Sequence, residues 1–197
     1  MELDKKIIIA NNCLDGYLHR FLYDEEYFTP FVWGGPTEDD FVKFCKDYDT
    51  IDFSDYKIIE WEDTKFYQRR KSYVFGKEFE EMNPTSAIEF SNGVQFIFPH
   101  FAKGDVRKKY ETRLARFYER KYKEPIFVFY WRKCSLEDIR DFYELDIRYF
   151  KILIVEHEEY LGMFPSKEGT LVLHDKNIFW LKDIGRYVAQ EIVKSKH

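Results

Sequence analysis

The chain holds only three cysteines in 197 residues, Cys13, Cys45 and Cys134. The number is odd and the spacings are wide. No CxxC pair and no Cys/His cluster with zinc spacing occurs, which argues against a disulfide framework or a structural zinc site and fits a reducing compartment. Familiar signatures are absent as well. No GxGxxG follows a predicted strand, and there is no Walker A loop and no GxSxG elbow. No DxD pair flanked by apolar strands stands out, so metal-dependent nucleotide-sugar transfer has little direct support. Long apolar runs are missing too. The N-terminal run, Ile7–Ala10, is too short for a signal peptide or a membrane span, and so is the later run Ile126–Trp131. The expectation is a cytoplasmic protein without membrane insertion. Excess positive charge is also lacking: the net charge is −5, the wrong sign for a general nucleic-acid or membrane-surface binder.

What is present is a globular composition. Hydrophobic residues make up 45%, enough for a core without covalent staples, and the 34% of charged residues mix both signs along the chain. Aromatics reach 20%, which reads first as core material and second as a sugar-stacking surface. The length suits one α/β domain over residues 1–197.

Segment by segment, Lys5–Ala10 reads as a strand buried on both faces, and Leu14–Leu22 has helical spacing. Residues 23–36 are irregular, with turn signals at Thr29-Pro30 and Gly34-Gly35-Pro36. Thr37 caps a helix with Glu38, Asp39 and Asp40 in its first turn. Asn92-Gly93 predicts a hairpin between Ser86–Phe90 and Val94–Phe98. A long helix over Asp105–Tyr122 precedes the strand Pro125–Trp131. Ser135 caps the next helix, Phe150–Val155 and Thr170–Leu173 are strands, and Trp180–Lys194 closes the chain as a helix. The alternation predicts an open, three-layer, mostly parallel sheet with flanking helices and one β-hairpin.

Cys13 follows a buried strand and starts a helix. Free N–H groups and the helix dipole there favour thiolate over thiol, and open α/β sheets place ligands beyond the carboxyl ends of their strands. A small cysteine packed under the sheet fits the same residues. Cys134, near another helix start, is the second candidate. A thiol nucleophile needs a base. His19, six residues on, is rotated by roughly 240° on the same helix and points elsewhere. His100 ends the predicted strand Val94–Phe98. If that strand runs parallel to the first, His100 and Cys13 meet at one sheet edge; a loop histidine is the alternative. Asn11 and Asn12 flank the thiol and could donate to an oxyanion or cap the helix. On the helix after His100, Val106, Tyr110, Leu114, Phe117 and Lys121 fall on one mainly apolar arc, beside which Lys109, Arg113, Arg116 and Arg120 are aligned. Arg113 lies nearest the apolar side. Arg113 and Arg116 could hold a phosphate or carboxylate, or form a solvated stripe paired with Glu111 or Glu119.

These residues resemble a family. Ile7–Leu22, with Asn11, Asn12, Cys13 and Gly16, followed by Thr29-Pro30 and the acidic-start helix Thr37–Phe44, is similar to the opening of bacterial exopolysaccharide or capsular polysaccharide biosynthesis proteins. A second block, His100-Phe101, Arg113, Arg116 and Ile126–Phe129, matches the same family in order. The resemblance covers roughly residues 5–160. Asp15 stands where a second glycine is usual, Tyr110 where Trp is frequent, and the last 35 or so residues match poorly. The family resembles papain-like thiol sites and a capsule acetyltransferase type with a Cys–His pair. The resemblance implies acyl transfer to a sugar hydroxyl, with Cys13, His100 and Asn12 as catalytic residues. Asn11, Arg113 and Arg116 would bind substrate or phosphate, coenzyme A would carry the acyl group, and no metal would be needed. A saccharide, nucleotide-sugar or lipid-linked sugar would be the partner substrate. A glycosyltransferase or sugar-phosphate enzyme of the same pathway, and a non-catalytic assembly protein, are the alternatives.

Overall fold

In the computed structural model, residues 6–24, 29–32, 34–69, 87–98, 105–119, 124–130, 134–178 and 180–195 are described. Four parallel strands form one sheet in the order β1-β5-β6-β7: β1 (Lys6–Ala10), β5 (Glu124–Tyr130), β6 (Phe150–Val155) and β7 (Thr170–His174). Both faces are covered. Alternate residues of β1 point opposite ways, as strand geometry requires. Ile8 and Ala10 pack with Val128, Ile152 and Leu173 under α1 (Leu14–Tyr23) and α7 (Leu181–Lys194). Ile7 and Ile9 face the other side, with Phe127, Phe129 and Leu153, against α2 (Glu38–Asp47) and α5 (Leu136–Glu144). This is the predicted three-layer α/β arrangement.

Val94–Phe98 does not run parallel beside the first strand, the arrangement that would bring His100 to the edge holding Cys13. A second, antiparallel sheet, β2-β3-β4, contains β2 (Tyr56–Ile59), β3 (Ala87–Phe90) and β4 (Gln95–Ile97). The predicted hairpin turns at Asn92-Gly93, where Gly93 has φ 80°. This sheet is inserted between β1 and β5 with α3 (Lys65–Arg69) and α4 (Val106–Glu119). Much of the aromatic content lies where it joins the parallel sheet. Phe31 contacts the rings of Phe44, Phe53, Phe90, Phe96 and Phe117, so the core explains these aromatics.

The predicted caps are present. Asp40 N–H donates to Thr37 Oγ1 at 3.4 Å, and Ser135 forms a capping box with Asp138. No helix among the described residues is long and apolar enough to cross a membrane.

β1 is an edge strand of its sheet, and an open edge leaves backbone donors unpaired. Asn11 N–H points to Val128 O on β5, so by alternation Ile8 N–H faces away from β5. There His19 Nε2 accepts it at 3.0 Å. An acceptor nitrogen must be unprotonated, which puts the imidazole proton on Nδ1. Replacing His19 by Phe is expected to cost about 1–3 kcal/mol, the penalty of stranding a buried donor. Amide exchange at Ile8 should accelerate; unchanged exchange would mean that the imidazole does not hold this edge.

Candidate active site

Strand β1 gives its last backbone rung at Asn11, whose N–H donates to Val128 O at 3.2 Å. The chain then turns, with Cys13 as the N-cap of α1 (φ −66°, ψ 4°). Strand β5 continues to Tyr130, which no longer faces a backbone partner on β1. The two asparagine side chains replace it. Asn11 Oδ1 accepts Tyr130 N–H at 2.9 Å, and Asn12 Nδ2 donates to Tyr130 O. Asn12 Oδ1 also takes Leu14 N–H at 2.9 Å, at the start of α1. Both ends of the Asn12 amide are thus engaged, with one of the two Nδ2 protons left over.

Asn11 differs. Tyr130 N–H can only donate, so it fixes which amide atom faces it and leaves Nδ2 over. That nitrogen is buried and has no hydrogen-bond partner among the described residues. Buried donors are nearly always paired, so an orphan two residues before a candidate nucleophile calls for an explanation.

Tyr130 extends this polar cluster across the carboxyl edge of the sheet. Its hydroxyl donates to Asp175 Oδ2 at 2.9 Å, just past β7, and Asp175 Oδ1 accepts Asn177 N–H at 2.8 Å. Asp175 is fully buried. Neither residue stands out in the sequence, since each is ordinary in its own segment.

The environment of Cys13 reverses one expectation. The residue is only 5% exposed. Burial pushes its thiol well above the ordinary range, and the Asp15 carboxylate two residues on adds to this; the site's own backbone N–H lowers it by less. The resting group is a thiol, not a thiolate. The helix start does favour the anion, but desolvation outweighs it. Cys45, inside α2, is likewise buried with its thiol pushed up. Cys134 is half-buried, before α5.

The turn is held from the other side by a glycine pair. Gly35 exchanges two backbone hydrogen bonds with Ile97, both 3.0 Å. A Cβ on Gly35 would lie 2.5 Å from Asn11 O, and one on Gly34 would lie 2.8 Å from the Phe98 ring. The end of β4 and the end of β1 are thus joined through Gly34-Gly35. His100 lies outside the described residues, two positions beyond Phe98 in the chain.

The α4 apolar arc is buried as predicted. Arg113 does reach inward: it is 9% exposed, and its Nη1 donates to Val32 O at 2.6 Å. Arg116 is on the exposed side of the helix. Glu111, an expected partner of the arginine row, instead pairs with Arg107 and accepts the Tyr56 hydroxyl. No group of three or more His, Cys, Asp or Glu side chains among the described residues could hold a metal.

Together these features define an α/β protein whose first strand ends in a buried thiol and an amide donor without a partner among the described residues. No protein family matches the chain, and no curated protein is similar to it.

Proposed function

We propose that the chain is a thiol-dependent acyltransferase of surface-polysaccharide biosynthesis, with Cys13 as nucleophile and His100 as general base. The observation that carries this reading is the buried Asn11 Nδ2, without a partner among the described residues and two positions before Cys13 in the chain. It supplies the donor that acyl transfer needs for the oxygen of its tetrahedral intermediate. The resemblance described above supplies the pathway and the pairing with His100.

A thiol held in its protonated form favours one mechanism over another. A standing thiolate–imidazolium pair would require a lowered thiol, whereas general-base catalysis removes the proton only as attack occurs. His100 takes the Sγ proton as sulfur attacks the carbonyl of an acyl-CoA thioester. The carbon–sulfur bond to the donor breaks, and His100 returns the proton to the leaving thiolate. The acyl group then rests on Cys13. A saccharide hydroxyl attacks it, gives its proton to His100 and leaves as the ester, and the thiol is restored.

Incubation with acetyl-CoA, followed by peptide mass spectrometry, tests this directly. Acetylated Cys13 is expected in wild type and absent in His100→Ala. Asn11→Asp keeps the acceptor for Tyr130 N–H and removes the amide donor, so it should slow acylation by roughly 10²-fold. No adduct in wild type, or an adduct indifferent to His100→Ala, would overturn the reading.

One observation favours a second reading. The buried, raised thiol also suits a packing residue, as in a glycosyltransferase or sugar-phosphate enzyme of the same pathway. Full turnover in Cys13→Ala with loss in Arg116→Ala would select it.

A further inference from the structure

Two surface clefts invite comparison. One, of about 360 Å³, lies between α2 and α5 and mixes four carboxylates (Asp39, Asp47, Asp138, Asp141) with Lys43 and Lys46. Lys43 is already paired with Asp47 at 2.6 Å. Such a surface does not select an anion. The other, of about 330 Å³, runs along α4 and is lined by Asp105, Lys108, Lys109, Thr112, Arg113 and Arg116. Four of those six side chains are cationic and one is acidic, in a chain whose net charge is −5.

The spacing of the lining residues puts them on one helix face, because three- and four-residue steps return to the same side. From Lys108 to Arg116 the face spans about 12 Å at 1.5 Å per residue. Asp105 pairs with Lys109 at 3.3 Å. Lys108 and Arg116 lie exposed on the rim, and a guanidinium there matches phosphate geometry. The floor is tied to the thiol site. Arg113 holds Val32 O, and the same loop continues to Gly35, which rests on the Asn11 carbonyl.

We propose that the α4 groove binds the diphosphate of a nucleoside diphosphate moiety, one loop away from Cys13. Coenzyme A and a nucleotide sugar both carry that group. The assignment to a donor for Cys13 rests on the acyltransferase reading; the anion site itself does not.

Calorimetric titration with ADP tests the site. ADP should bind wild type and Cys13→Ala equally, and bind Lys108→Glu/Arg116→Glu at least about tenfold more weakly. Both replaced residues are exposed, so the melting temperature should hold; Lys108→Gln/Arg116→Gln, without charge reversal, should show the same direction. Added salt should weaken binding, since exposed charges are screened. Coenzyme A binding more tightly than a UDP-sugar identifies an acyl donor, and the reverse order identifies a nucleotide sugar. Failure of wild type to bind any of the three, or equal affinity in the charge variants, would overturn the proposal. The two readings separate with a phosphate-free acetyl thioester of N-acetylcysteamine. Its failure to acylate Cys13 counts against the thiol mechanism alone, and its success without any ADP binding counts against the groove alone.

Discussion

Gly35→Ala is expected to destabilise the protein by about 3 kcal/mol, the upper part of the range for forcing a methyl group into a packed interior. For a chain of this length that lowers the melting temperature by roughly 6–12 °C. The reason is spatial. Gly35 is clamped in the plane of the second sheet by its paired hydrogen bonds with Ile97, while the Asn11 carbonyl lies directly over its α-carbon. The obstructing atom is backbone at the end of a strand buried on both faces, so it cannot rotate aside as a flexible side chain would. Relief requires parting β1 from β4, and the Asn11-Asn12-Cys13 turn would move with it. The same substitution at the surface-exposed Gly162, which has open space around it, should cost far less. Thermal denaturation of the two variants side by side checks the argument. Equal losses would show that the close contact with Asn11 is not a constraint.

Lys151→Met is expected to cost about 2 kcal/mol and to alter the shape of the pH–stability curve. Lys151 lies within β6 among apolar residues and is only 3% exposed. Its Nζ donates to Phe142 O, Tyr143 O and Leu145 O at 3.1, 2.7 and 2.6 Å. Those are carbonyls at the end of α5, where a helix runs out of its own donors and favours a cation. Three ammonium protons meet three acceptors. Methionine fills similar space and leaves the carbonyls without that donor; the relief of burying one charge fewer offsets part of the loss.

Burial pushes the Lys151 ammonium down from the usual 10.5 to about 8, helped by Lys167, while Cys45, Glu144 and Asp146 act the other way. Between these values the unfolded chain holds a proton that the native state has released, so this group makes stability rise with pH across that window. The buried thiols act oppositely. Cys13 and Cys45 keep their protons above the ordinary thiol value of 9.0, where the unfolded chain loses them, so their contribution falls as pH rises beyond it. Tyrosines add to the fall above 10.0; Tyr56 is pushed up to about 12 by burial and Glu111. Urea denaturation across this range should show a rising limb from about pH 8 in wild type that Lys151→Met lacks, at most about 1.4 kcal/mol per pH unit for one proton. A rising limb retained in the variant would exclude Lys151 as its source.

The features legible in the sequence were those set by neighbours along the chain. The β-branched run Ile7–Ile9, the caps Thr37 and Ser135, the Asn92-Gly93 turn and the apolar arc of α4 all follow from local periodicity and capping chemistry, and each lies where it was expected. The inward reach of Arg113 followed from the same helix projection. The short helices Lys65–Arg69 and Glu159–Met163 escaped because five residues are too few to show a 3.6-residue period.

What only the tertiary structure decided depends on partners far along the chain. A short apolar strand reads alike in a parallel or an antiparallel sheet, so the Asn92-Gly93 turn announced the β3–β4 hairpin but not that this hairpin joins β2 in a second sheet apart from β1. Nor could it divide the asparagines, because their roles depend on Tyr130 more than a hundred residues away. The same holds for Cys13. Its place at a helix start is local and argues for thiolate, but its charge state follows from how much water the packed layers exclude. Desolvation belongs to the whole fold, and at this position it outweighs the favourable local dipole.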